Sequence, residues 1–193
     1  MIAGQGTLAL EALAQAGACA PAAAPGAPPL DALVVPVGGG GLLGGCCVAA
    51  RGVDPRVVVL GAEPAAANDA ARSLRAGALQ GHAPGAPATM ADGLRTTLGP
   101  NTWPLARDLC GGIVEVEEAE IRAALRLVYE RAKLASEPSA AVGVAAALKP
   151  GALAGALRAA WARAGVDEPL GRPLRVGIVL CGGNSDVDAL FTA

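Results

Sequence analysis

Residues 30–45 constrain the fold more than any other stretch. A short apolar run, Leu30 to Val37, ends in four consecutive glycines, Gly38, Gly39, Gly40 and Gly41, and an apolar, alanine-containing run follows at once. That order predicts a buried strand, a tight loop and a helix. Four glycines cost much backbone entropy, so they belong where the chain needs positive φ or where a ligand must come closer than a Cβ allows. A glycine loop opening a helix also aims free N–H groups outward at the positive end of the helix dipole, which lets backbone alone bind a phosphate. A plain flexible turn is the bland alternative. A nucleoside-triphosphate loop is excluded, because no Lys-Ser/Thr pair follows Gly41. A dinucleotide site stays open at this point, since Glu63 follows the next apolar run and a ribose-binding acid is expected about 20 residues on.

At 193 residues the chain is one domain, or most of one. Its net charge of -2 gives no basic footprint for nucleic acid. No apolar run approaches the ~20 residues that span a bilayer, so a soluble protein with no membrane partner is expected. The start, Met1 to Thr7, lacks a basic region and a sustained apolar core, so no signal peptide is evident. The five cysteines show no CxxC spacing and no nearby histidine, which argues against zinc. With a glycine loop beside them, they are expected as reduced thiols in the cytoplasm.

Along the chain, apolar spacing predicts a helix over Gly6 to Ala16, a loop from Cys19 to Pro29, a helix from Leu42 to Arg51, and a strand from Arg56 to Ala62. A helix is expected over Ala65 to Arg75, then a Gly/Pro/Ala loop in which His82, the sole histidine, is a solvated residue. A short helix ending at Leu109 precedes a strand at Gly111 to Val116. A long helix runs from Glu117 to about Ser136, and further helices cover Ala140 to Leu148 and Gly151 to Gly165. A strand at Arg175 to Leu180 and a last short helix over Val187 to Phe191 complete the pattern. Strands of this length alternating with helices imply a three-layer α/β fold, a mainly parallel sheet with helices on both faces. Ligands in such sheets sit beyond the carboxyl ends of the strands. Three clusters fall there: Gly38 to Gly41, Glu63 with Asp69, and Cys181 to Asn184.

Together these segments resemble the large domain of the fold-type II pyridoxal-phosphate enzymes, in particular the serine racemase and L-serine/L-threonine ammonia-lyase family. The resemblance rests on Ile2 to Thr7, Val34 to Gly41, Ala62-Glu63-Pro64, Ala91-Asp92-Gly93, Asn101 to Pro104, Glu137 to Ala140, and Cys181 to Asn184, in the family's order across nearly the whole chain. It implies a tryptophan synthase beta-like fold, here incomplete, with pyridoxal 5'-phosphate as cofactor. Gly38, Gly39, Gly40, Gly41 and Leu42 match the phosphate loop, and Cys181 matches the residue facing the pyridine nitrogen. Glu63, Ala67 (through its carbonyl) and Asp69 match a divalent-cation site, and such a hard oxygen set suits Mg2+ or Ca2+. Asn68 stands where the family often has an acid. Glu137 matches a family glutamate near the cofactor. Each has an ordinary alternative: a buried small apolar residue for Cys181, a helix cap and a solvated acid for Glu63 and Asp69, and helix capping by Glu-Pro-Ser for Glu137. The substrates implied are L-serine and L-threonine, and the full-length assembly is a homodimer.

The departures matter as much. The family's catalytic lysine, which forms a Schiff base with the cofactor, lies in a Ser-x-Lys-x-Arg-Gly segment. This chain's two lysines, Lys133 and Lys149, lack that context. The substrate-carboxylate loop and the opposite-face serine of the racemases have no counterpart either. Residues 1–193 are therefore expected to be a single, N-terminally truncated large domain without the small domain or the catalytic-lysine segment. Such a chain is expected to be inactive alone. The alternative is a non-catalytic cofactor- or metal-binding module, or a partner subunit. Cys181 leans towards the lyase and the metal pair towards the racemase.

Overall fold

The computed structural model describes residues 1–19, 27–168 and 172–186. Four strands, β1 (Ala32–Pro36), β2 (Val58–Pro64), β3 (Ile113–Val116) and β4 (Val176–Ile178), form one sheet in the order β3-β2-β1-β4. Every pairing is parallel, with Val34 opposite both Leu60 and Ile178 and with Glu63 opposite Glu115. All five residues of β1 and all seven of β2 are buried, as expected of central parallel strands covered on both faces.

Alternate residues of these strands feed two separate cores. Leu33, Val35, Val37, Val57 and Val59 pack with Leu13 of α1 (Ile2–Cys19), Leu43 and Cys47 of α2 (Gly41–Val53) and Ala106 of α4 (Trp103–Leu109). Val34, Leu60, Ala62, Val114 and Val116 pack on the other face, with Ile121 of α5 (Glu118–Leu127), Val142 of α6 (Pro138–Ala147), and Leu157 and Trp161 of α7 (Pro150–Ala164). The remaining helix, α3 (Asp69–Ala76), follows β2 after a tight turn at Ala65–Ala67. The chain runs outward from β1 to β2 to β3, then returns to lay β4 on the other side of β1. That reversal makes the gap beyond the carboxyl ends of β1 and β4 the switch point at which open α/β sheets bind ligands.

A buried acid holds the two strands together at their opposite ends. Asp31, at the foot of β1, takes both guanidinium nitrogens of Arg172 at 2.6 and 2.7 Å and the Arg175 N–H at 2.7 Å. Its own N–H donates to Arg175 O at 2.8 Å. Burial works to raise its pKa, but the Arg172 and Arg175 donors and charges outweigh that and hold the carboxyl below the usual range.

Several sequence-based boundaries move. The first helix extends to Ile2 and Cys19. The second strand starts at Val58, because Asp54 turns the chain by accepting from the Arg56 N–H and pairing with its guanidinium. The helix expected over Ala65 to Arg75 is broken at Asn68. The helix expected to run to Ser136 stops at Leu127 and widens into a π-turn over Val128–Ala132. Lys133 closes it with φ 58° and an N–H bonded to Val128 O. The helix expected over Val187 to Phe191 lies outside the described residues. Among the described residues no single helix is long and apolar enough to cross a membrane. The pair α6 and α7 reaches that length only across a 79° bend, and α6 is almost entirely buried against the sheet.

Candidate functional site

The glycine loop leaves β1 and opens α2, so the first-turn N–H groups of that helix, including that of Leu42, have no partner inside it. Gly40 sits at φ 78°, left-handed backbone that side-chain-bearing residues avoid. A Cβ there would lie 2.5 Å from Leu98 Cδ2 and 2.9 Å from Thr102 Oγ1. At Gly39 and Gly41 a Cβ would meet nothing nearer than 3.8 Å and 4.0 Å. The loop is thus pressed on one side and open on the other. Thr102 sets its shape: its hydroxyl donates to Gly39 O at 2.8 Å and accepts from the Gly99 N–H at 2.9 Å. Sequence reading placed Thr102 in a family segment without a role. Its signal was there, a hydroxyl residue just ahead of a helix with proline in its first turn.

A second wall comes from β4 and α6. Beyond β4, Cys181 is partly buried against the core, and burial together with the nearby Glu137 carboxylate pushes its thiol up, so it stays neutral. Glu137, the N-cap residue of α6, donates its N–H to Gly182 O at 3.2 Å, and its Oε2 accepts from the Asn184 N–H at 3.2 Å. Gly182 has φ 114°, and a Cβ on it would lie 2.5 Å from the Glu137 carboxyl carbon, so no other residue fits that close approach. Ser139 Oγ accepts from the Gly93 N–H at 3.0 Å, and Gly93 O is 3.2 Å from where a Gly38 Cβ would sit. Gly38 to Gly41, Gly93, Ser139, Glu137 and the Cys181 to Asn184 segment therefore form one contiguous set.

Glu63 and Asp69 form a second set, both carboxylates fully buried. Glu63 accepts the Ala71 N–H at 2.7 Å and the Ala70 N–H at 3.2 Å, so it also caps α3. Burial, with the charge of Asp69 added, pushes its pKa up to about 8. Burial also raises Asp69, which accepts the Leu98 N–H at 2.8 Å. Leu98 is the residue pressed against Gly40, so the two sets touch. Asn68 turns away and bonds Glu115 at 2.7 Å. His82 is not the solvated residue its loop suggested. Its side chain is 14% exposed, and Nε2 lies 3.6 Å from Asp69 Oδ1, because the loop after α3 is tied back by Arg72 bonded to Gly81 O. Among the described residues no three His, Cys, Asp or Glu side chains converge to hold a metal ion.

A model of the pyridoxal-phosphate dependent enzyme family matches residues 1–162. The chain belongs to that family. Serine racemase of Dictyostelium discoideum is 40% identical over 190 residues, which is 98% of this chain and 51% of the relative. Serine racemase of Homo sapiens is 47% identical over 148 residues, 77% of this chain and 40% of the relative. The structure of maize serine racemase superposes with a TM-score of 0.79 at 36% identity, over 99% of this chain and 50% of that one. A bacterial-type relative, the threonine deaminase of T.th., gives 0.78 at 40% identity, over 96% and 58%. The chain thus spans about half the length of the curated relatives it matches.

The family's cofactor carries a phosphate dianion, and the glycine loop fits that group. Its pressed face admits no Cβ at Gly40, its open face does, and the helix start supplies backbone donors in place of a cationic side chain.

Proposed function

We propose that this chain is the cofactor-binding part of a pyridoxal-phosphate-dependent serine racemase or L-serine/L-threonine dehydratase. The observation that carries the reading is the meeting, at the β1/β4 switch point, of the glycine loop with the Glu137-braced Cys181 segment. When bound, the cofactor's ring supplies an electron sink for loss of the α-proton of the amino acid. The N–H groups of the loop and of Leu42 would hold its phosphate. The neutral Cys181 thiol would face the ring nitrogen without forcing a proton onto it, as a carboxylate would. Glu137 and Gly182 would fix the thiol's direction.

Glu63, Asp69 and the Ala67 carbonyl would take Mg2+ or a similar divalent cation. Supporting this, two fully buried carboxylates lie close enough to raise Glu63, and neither accepts a hydrogen bond from a lysine or arginine. An oxygen-rich set completed by water suits a hard cation. This chain alone is proposed to lack turnover, as expected of a large domain without its lysine segment. Lys149 is committed to Glu120 and Glu115 O, and Lys133 closes the π-turn in left-handed backbone. The five thiols, all free, fit the cytoplasm, and a homodimer is the assembly proposed for a full-length chain.

Titration of the purified chain with pyridoxal 5'-phosphate, followed by cofactor absorbance, tests the reading. Saturable binding without release of pyruvate, 2-oxobutanoate or ammonia from L-serine or L-threonine is expected. Binding of NAD in place of pyridoxal phosphate would replace it with the dinucleotide reading.

A further inference from the structure

Two cysteines stand together outside the candidate site. Cys47 lies on the buried face of α2, and Cys110 follows α4 directly. The two thiols share a hydrogen bond. Cys110 Sγ also lies 3.2 Å from Gly112 O and 3.6 Å from Val59 O, so it is held against the start of β3.

The surroundings of the two sulfurs differ. Cys47 is 2% exposed in the apolar core, whereas Cys110 is half-buried and borders two clefts. Arg163 lines both clefts, Arg51 lines one, and Arg75 and Arg107 line the other. Arg75 is paired with Glu115 and Arg107 with Asp108, which leaves Arg51 and Arg163 as the cleft cations without a carboxylate partner among the described residues. The hydrogen bond from Cys47 and the charge of Arg163 both favour the Cys110 thiolate, while Cys47 is held as a thiol.

We propose that Cys110 and Cys47 are a thiol–disulfide exchange pair, with Cys110 the attacking sulfur and an anionic small-molecule disulfide of the glutathione type the oxidant. In the first step the Cys110 thiolate attacks one sulfur of the small disulfide. The Cys110–S–S bond forms, the small disulfide's own bond breaks, and one small thiolate leaves. In the second step Cys47 attacks Cys110 Sγ, its proton passes to the second departing thiolate, and the Cys47–Cys110 bond closes. The two protein thiols are oxidised and one small disulfide is reduced to two thiols. The closed bond ties α2, whose first turn is the glycine loop's exit, to the strand entering β3. An intracellular disulfide of this kind is transient and redox-sensing in character.

The test is incubation of the intact chain with oxidised glutathione, followed by alkylation and peptide mapping. Trypsin leaves Cys19, Cys46 and Cys47 on one peptide ending at Arg51, so variants make the assignment. A crosslink from that peptide to the one carrying Cys110 is expected. It should persist in the Cys19→Ser/Cys46→Ala double variant and vanish in Cys47→Ala and in Cys110→Ala. In Cys47→Ala, Cys110 should end as a mixed disulfide with glutathione. Cystamine, a cationic disulfide, should react at Cys110 several-fold more slowly. Cys110 left unmodified while the exposed Cys19 takes up glutathione would overturn the proposal. A crosslink that survives Cys47→Ala, or a bond joining Cys46 to Cys181 instead, would do the same. Faster reaction with cystamine would remove the anionic oxidant from it.

Discussion

Gly40 shows how much one residue can decide. Its positive φ alone makes an alanine there cost about 1–2 kcal/mol, and the added Cβ would strike Leu98 and Thr102, which set the loop. Gly40→Ala is expected to weaken pyridoxal-phosphate binding at least tenfold, measured by absorbance titration, while the far-ultraviolet circular dichroism stays helical. The four glycines announce such a loop in the sequence. Which of them needs left-handed backbone was not legible, because that depends on Leu98 and Thr102 arriving from far along the chain, and only the fold brings them. Asp31 makes a second prediction at this scale. Removing one partner of a buried pair leaves the other unsatisfied, and with Arg172 partly exposed Asp31→Asn should cost about 2 kcal/mol in urea unfolding. The folded pKa of Asp31 is lowered, so its stabilisation is fully present above the ordinary aspartate value of about 4 and is lost as pH falls through the lower folded value. A melting-temperature profile of Asp31→Asn should therefore lie below the native chain near neutrality and converge with it in acid.

Among the elements, α5 is the one whose start is plainest in the sequence and whose end is not. Glu117 and Glu120 form a reciprocal capping box, with the Glu117 N–H donating to Glu120 at 2.7 Å. The Glu-Glu pair opening an apolar stripe announces this locally. Lys149 adds a bond to the same Glu120 carboxylate from the end of α6. Glu120→Ala should destabilise the chain by about 1 kcal/mol in denaturant titration, and replacing Lys149 in that variant should cost less than it does in the native chain. The end of α5 carries no glycine or proline, so continuing it to Ser136 was reasonable on spacing. The structure stops it because the Glu137 N–H is needed at Gly182 O and Tyr129 OH is held by Ser136 O. A chain required at two distant points cannot finish its helix. His82 was misread for the same reason, since nothing near it in sequence reveals Asp69.

Over the whole molecule, β4 is the edge of the described sheet, with Ile178 38% and Leu180 37% exposed beside an apolar groove lined by Leu8, Ala12 and Leu33. An unpaired apolar strand edge is a template for pairing with another chain. The chain is expected to self-associate with rising concentration in sedimentation velocity, and Ile178→Lys should shift it towards monomer. The sequence by itself determined the alternation of strands and helices, the parallel sheet and the glycine loop at a helix start, because periodicity, valine-rich runs and glycine act over a few residues. Only the tertiary structure decided that β4 returns beside β1, that Glu137 braces Gly182, and that Cys47 meets Cys110. Those placements depend on which distant surfaces bury each other, and no local pattern in the chain encodes that.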